Sequence, residues 1–235
     1  MASYILIHGA WHAGWCWEAV AVLLTAQGHQ VMTPDLPGHG ANQKRHADVK
    51  LQDYVDYIMD CVQRCDEWPI LVGHSFAGIM LTQFAANYPG QFKKLIYVAA
   101  YVPFSGESLL SLSERFSVTG LSPELIVDKQ KSAIILKTPN LSKLLYHCAS
   151  PENQAWAIER IGAEPLIPLA TPVKFTGFSY NDVDALCILC EQDRAITLPD
   201  QQWMAERTGG NLLSLPADHS PFISMPAALV ALLTR

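Results

Sequence analysis

A chain of 235 residues can bury one substantial core, and with half its residues apolar and only 16% charged it does not have the composition of a disordered segment. The formal net charge of −6 gives no electrostatic reason to expect nucleic acid and suits a neutral or modestly charged small substrate. No basic region followed by an apolar stretch precedes "SYILIHGA", and no window reaches the roughly 18 consecutive apolar residues of a membrane span, so a cytoplasmic protein with no membrane partner is expected.

Taken in chain order, short apolar runs alternate with longer amphipathic stretches. Residues 4–7 ("YILI") and 30–33 ("QVMT") read as strands, joined by a helix over about 16–27 that stops at Gly28. A helix over 51–65 leads to a strand at 70–72, a helix at 76–87 ending before Pro89, and a strand at 94–98. Beyond residue 180 come a strand at 185–189, a helix at 198–207 ending before Gly209, a strand at 211–215, and a helix at 226–234 that opens on a proline. This alternation predicts an α/β fold: a sheet of about six mostly parallel strands flanked by helices.

The interval from 105 to 180 is far longer than an ordinary connection and carries its own helical pattern, including "SPENQAWAIERI" with Ser150 as N-cap. It is expected to form an inserted helical lid, with residues 1–104 and 181–235 forming the core. The six cysteines (Cys16, Cys61, Cys65, Cys148, Cys187 and Cys190) are scattered through helix-like and strand-like segments, as free thiols would be. Cys187 and Cys190 lie in one strand-like run, where residues three apart point to opposite faces, and no second pair is present to complete a metal site.

The segment with the most chemical content is "PILVGHSFAG" at 69–78: an apolar strand, a tight turn bearing Ser75, then a helix. Such a turn holds a serine hydroxyl clear of the sheet, and its neighbours must be small because strand and helix backbones pass closely. Ala77 stands where a second glycine is usual, and Gly78 follows it. A serine between glycines can also be an ordinary turn. As a nucleophile it needs a base and an orienting carboxylate, expected in the chain order Ser, Asp or Glu, His.

"CEQDRAI" follows the fifth strand and "PADHSPF" the sixth, which places Asp193 and His219 on loops at the same sheet edge as Ser75. Glu191 is the alternative carboxylate, and Asp218, beside His219, is read as a turn cap. If the first strand lies beside the third, "HGAWHAGW" faces the Ser75 turn, and the backbone N–H groups of Ala10 and Phe76 converge on one oxyanion. Trp11 is expected to wall the pocket, while Trp15 and Trp17 are expected to pack in the core. His8, His12, His39 and His74 read as hydrogen-bonding turn residues with no metal-ligand spacing.

Through "HGAWHAGWCW", "DLPGHG", "GHSFAG", "LYHCASPENQAWA", "CEQDRAI" and "ADHSPF", the chain resembles the α/β-hydrolases, and within them the plant-type methylesterase and hydroxynitrile lyase family, on its esterase-like branch. The resemblance implies Ser75 as nucleophile, His219 as general base, Asp193 as its orienter and Ala10 with Phe76 as oxyanion donors. It also implies hydrolysis of a small methyl or aryl ester through an acyl-enzyme, with no cofactor and no metal. Lyases of the family carry a threonine at the position of Gly9 and a lysine after the catalytic histidine, where Ser220 stands here.

The acyl group is expected to be apolar or aromatic, with Phe104, Phe116, Leu144, Tyr146 and Trp156 as candidate pocket walls or lid core. An apolar lid patch is equally compatible with a homodimer contact. The rival readings are a cofactor-free cyanohydrin or carbon–carbon lyase on the same triad, and a ligand-binding homologue with negligible turnover.

Overall fold

The computed structural model describes residues 1–116, 122–209 and 211–235. The strands are β1 (Ser3–Ile7), β2 (Gln30–Met32), β3 (Ile70–His74), β4 (Lys94–Val98), β5 (Leu125–Asp128), β6 (Ala133–Leu136), β7 (Glu164–Pro165), β8 (Ala185–Cys190) and β9 (Leu212–Leu215). The α-helices are α1 (Glu18–Ala26), α2 (Leu51–Val62), α3 (Ala77–Asn87), α4 (Leu109–Ser113), α5 (Leu141–Leu145), α6 (Pro151–Ile158), α7 (Leu166–Ala170), α8 (Leu198–Ala205), α9 (Pro221–Ser224) and α10 (Pro226–Leu233).

Six strands form one parallel sheet in the order β2-β1-β3-β4-β8-β9, as the alternating pattern predicts. Helices cover both faces, so β1 is buried at every position and reads as a continuous apolar run. Alternate side chains divide between two cores: Ile5, Ile7, Leu71, Leu95 and Tyr97 with α2 and α3, and Tyr4, Leu6, Val72, Ile96 and Val98 with α1 and α10. Helix α2 shows why such segments become helical: Leu51, Tyr54, Val55, Ile58, Cys61 and Val62 form one buried stripe, and Asp53 accepts from the Lys50 N–H at its start. Cys187 and Cys190 face opposite cores, as their spacing requires.

The strand order reverses between β1 and β3, since β2 lies on one side of β1 and all later strands of the sheet on the other. Ile7 pairs with Gly73, so the chain leaves β1 and β3 side by side at their carboxyl ends. That crevice is where an open parallel sheet accepts a ligand.

The insertion between β4 and β8 is not purely helical. Besides α4 to α7 it contains the antiparallel sheet β5-β6-β7. The cause is local: "LIVD" and "AIIL" are rich in branched side chains that suit a pleated surface, and a short turn with Ser132 at φ 52° joins them. Ser150 does cap α6, its Oγ accepting from the Asn153 N–H at 3.3 Å. No helix among the described residues is long and apolar enough to cross a membrane.

Candidate active site

Ser75 is the corner between β3 and α3, and it sits at φ 53°, in the left-handed region that a serine rarely adopts. Three backbone bonds hold it there: its N–H donates to the Val98 carbonyl, and its own carbonyl accepts from the N–H groups of Gly78 and Tyr101. Ala77 stands at the position usually held by a glycine, and the close approach of the backbones falls one residue later, at Gly78. A Cβ on Gly78 would stand 2.0 Å from the Tyr101 carbonyl oxygen, and one on Gly73 would stand 2.7 Å from Leu81 Cδ1.

Asp193 follows β8 and His219 follows β9, and the two meet above the sheet: His219 Nδ1–H donates to Asp193 Oδ2 at 2.7 Å. Asp193 is itself fixed, with Oδ1 accepting from the N–H groups of Ala195 and Ile196 and Oδ2 accepting from Gln201 Nε2 at 3.1 Å. With its Nδ1 proton held by the carboxylate, the imidazole offers Nε2 as its basic atom. Glu191 lies exposed and accepts from Ser214 Oγ, so it is not the histidine's partner. Asp218 serves the turn: Oδ1 accepts from the Ser220 N–H and the Ser224 hydroxyl, and Oδ2 from the Cys148 N–H. His147 and Cys148 lie near enough to it to group three ligand-type atoms within 4.8 Å, but the carboxylate is occupied in bracing these loops.

The loop after β1 is ordered by neutral histidines. His8 Nδ1–H donates to the Gly9 carbonyl while Nε2 accepts from the Leu36 N–H, which fixes the peptide plane that carries the Ala10 N–H. His12 Nδ1–H donates to the Ala10 carbonyl at 2.8 Å, and its Nε2 accepts from the Tyr146 hydroxyl at 2.7 Å. Burial removes their charge: His12 is pushed down to about 4, and His8 and His74 fall well below the ordinary imidazole range. Neither the Ala10 N–H nor the Phe76 N–H has a protein acceptor among the described residues, which leaves both free for a ligand.

Ser75 and His219 line one cavity of about 90 Å3, together with Ala10, Trp11, Tyr101 and Ile196. The rest of its wall is mostly aliphatic: Leu109 and Leu110 from α4, Leu125 from β5, Ile134 from β6, Leu169 from α7 and Ala195, with Ser113 of α4 the one further polar residue. A larger groove of about 1040 Å3 runs along α1 and contains neither group.

Of the pocket residues expected from sequence, Trp11 is in place and five are not. Phe104 is half exposed and stacks beneath the Arg207 guanidinium, 4.2 Å from its ring centre. Phe116 packs behind Tyr101 and against Trp203. Leu144 joins the core on the α1 side of the sheet, Tyr146 is spent on His12, and Trp156 packs edge-on to Trp15 with Arg160 over its face. The aromatic rings are drawn to a cation (Phe104, Trp156), a histidine acceptor (Tyr146) or other rings (Phe116), and the wall falls mostly to aliphatic residues on short elements that carry no periodicity. Trp17 is fully buried, as expected of core. His39 Nε2 and Glu164 Oε2 form a buried hydrogen bond of 2.8 Å beside Trp11, which sequence reading missed because 125 residues separate them.

A family model described as "Alpha/beta hydrolase family" matches residues 4–232. Over 238 residues the chain is 37% identical to a carbendazim hydrolyzing esterase of Nocardioides sp. (strain SG-4G), covering 97% of each chain. It is 27% identical over 245 residues to Methylesterase 9 of Arabidopsis thaliana, covering 97% of this chain and 95% of that one. The crystal structure of a pyrethroid hydrolase from Sphingobium faniae JZ-2 superposes with a TM-score of 0.87 at 25% identity, over 99% of this chain and 96% of that one. The chain therefore belongs to the alpha/beta hydrolase family, among relatives of the methylesterase type.

Proposed function

We propose that this carboxylic ester hydrolase cleaves small apolar esters through an acyl-enzyme on Ser75, with His219 as general base and Asp193 as its orienter. The observation that carries the reading is the 2.7 Å bond from His219 Nδ1–H to Asp193, beside a serine held at φ 53° in the same cavity. Its esterase relatives support the reaction class, and the chemistry follows from the groups present.

Ser75 Oγ attacks the ester carbonyl carbon as its proton passes to His219 Nε2. The carbonyl oxygen becomes an oxyanion that accepts from the Ala10 and Phe76 N–H groups. Collapse expels the alcohol, which takes the proton from His219, and leaves the acyl group on Ser75. Water then gives a proton to the same imidazole and attacks the acyl carbon; the second tetrahedral intermediate collapses, Ser75 Oγ leaves and takes that proton back from His219, and the acid is released. Every group in this cycle is protein or water.

The insertion acts as the lid over this site, and its aliphatic wall selects the acyl group. With a cavity of only about 90 Å3, short acyl chains fit best. The lyase alternative is less well supported. Among the described residues no lysine or arginine lines the cavity, and Ser220, next to the base, is fully buried. A Cβ at Gly9 would stand 2.9 Å from the His74 carbonyl oxygen, which leaves little room there for the threonine of a lyase.

The test is turnover of a panel of methyl and p-nitrophenyl esters, with cyanohydrins alongside, by wild type and Ser75→Ala. The expected result is ester hydrolysis that the substitution lowers at least about a thousandfold. Cyanohydrin cleavage without ester hydrolysis, or ester turnover unchanged in Ser75→Ala, would overturn it.

A further inference from the structure

Trp11 follows the Ala10 donor and stands at φ 63°, a strained conformation for a tryptophan. Such a conformation persists only where its surroundings over-determine it, and here every polar group of Trp11 engages the insertion. Its N–H donates to Glu164 Oε2 at 3.0 Å, its Nε1–H to the Ile134 carbonyl at 3.1 Å, and its carbonyl accepts from the Gly162 N–H at 2.9 Å.

Glu164 is the centre of this arrangement. It is fully buried, yet it stands on the two-residue strand β7 of the insertion. Oε2 also accepts from His39 Nε2–H at 2.8 Å, and Oε1 faces the Tyr54 hydroxyl at 3.4 Å. A carboxylate can take this many donors at once, and a buried one needs them. Burial alone would lower the His39 pKa, but the Glu164 carboxylate at hydrogen-bond distance outweighs it and raises it.

The Trp11 N–H and the Ala10 carbonyl belong to one peptide plane. His12 holds one edge of that plane and Glu164 the other. Rotation of the plane would turn the neighbouring Gly9–Ala10 peptide, whose N–H is the oxyanion donor.

We propose that Glu164 is a positioning residue for ester hydrolysis: through the Trp11 amide it ties the oxyanion loop to the insertion, so that the oxyanion hole is complete only when the insertion is seated on the core. The proposal rests on the reading of Ser75 as nucleophile and Ala10 as oxyanion donor. It makes the insertion part of the catalytic geometry as well as a cover. An insertion lifted for substrate entry leaves a loop free to relax, and reseating restores the donor.

The experiment compares wild type, Glu164→Met, which fills the same volume without an acceptor, and Glu164→Gln, which keeps one acceptor for the Trp11 amide. The readouts are kcat and KM for a short p-nitrophenyl ester, and affinity for a matching trifluoromethyl ketone. That ketone bonds to Ser75 Oγ as the serine proton passes to His219, and its carbonyl oxygen becomes an oxyanion. In Glu164→Met, kcat should fall about ten- to hundredfold with KM within about threefold, and ketone affinity should fall by a similar factor. Glu164→Gln should recover most of both.

A folded Glu164→Met with kcat and ketone affinity within threefold of wild type would overturn the proposal. So would a Glu164→Gln that loses as much as a folded Glu164→Met, or, should Glu164→Met fail to fold, a folded Glu164→Gln that loses over tenfold in both. Ester turnover that survives Ser75→Ala would instead overturn the reading beneath it, which keeps the two failures distinct.

Discussion

The Nε2–H of His74 donates to the main-chain carbonyl of His219 at 2.8 Å, so the residue before the serine holds the loop that carries the base. The two rings lie 4.6 Å apart, and His74 is buried and neutral. Replacing His74 with alanine should lower kcat about tenfold to a hundredfold, because the loop that carries the base loses its anchor and the imidazole is held less well in register with Ser75. Steady-state kinetics on a short ester checks this. An unchanged kcat in a folded variant would remove His74 from the account of how the base is held.

Acid should destabilise the protein earlier than its carboxylates alone would. The folded pKa of His12 is about 4, against about 6.5 for an unfolded imidazole, so between these values the unfolded chain binds more protons. The His12 contribution is complete above about pH 6.5 and is lost as pH falls toward 4, a change of about 3 kcal/mol. His8 and His74 shift in the same direction, while His39, raised by Glu164, opposes them and loses its contribution as pH rises. Urea midpoints measured from pH 8 to 5 should fall steeply below pH 6.5. A flat profile would mean that these rings are hydrated.

Two adjacent small residues in the Ser75 turn should respond differently. Gly78→Ala drives a Cβ to within 2.0 Å of the Tyr101 carbonyl and should cost about 1–3 kcal/mol or more as backbone is forced apart. Ala77→Gly should cost only about 1 kcal/mol, the helix propensity difference. Thermal denaturation of the two variants tests the order, and equal losses would contradict the close approach at Gly78.

Acyl-chain preference should follow the aliphatic wall. Leu110→Ala enlarges the cavity from α4 and should raise the ratio of hexanoate to acetate kcat/KM for p-nitrophenyl esters about tenfold. Trp156→Phe, outside the cavity, should leave that ratio unchanged. A ratio that moves with Trp156 and not with Leu110 would relocate the acyl site.

Much of this molecule was legible in its sequence because the informative residues lie next to strong local signals. Most strands of the six-stranded sheet are short apolar runs bounded by turns; Ser75 follows β3 directly, and Asp193 and His219 lie in the short loops after β8 and β9. The Ser75 corner, the His219–Asp193 bond and the pairing of β1 with β3 all appear where those positions imply. The cavity wall was not legible, because it is assembled from α4, β5, β6 and α7, elements too short to show a period. Phe104 and Trp156 looked like walls on composition alone, and their rings pair with Arg207 and Arg160 instead. Glu164 was invisible for a different reason: its partners Trp11, His39 and Tyr54 come to it from more than 100 residues away.

The most direct test of Ser75 as the nucleophile is intact mass after exposure to a fluorophosphonate, followed by peptide mapping, for wild type and Ser75→Ala. The expected result is a single adduct on Ser75, absent from the variant, with ester turnover lost in step with labelling. A folded wild type that hydrolyses esters but forms no adduct, or forms it elsewhere, would contradict a nucleophilic Ser75.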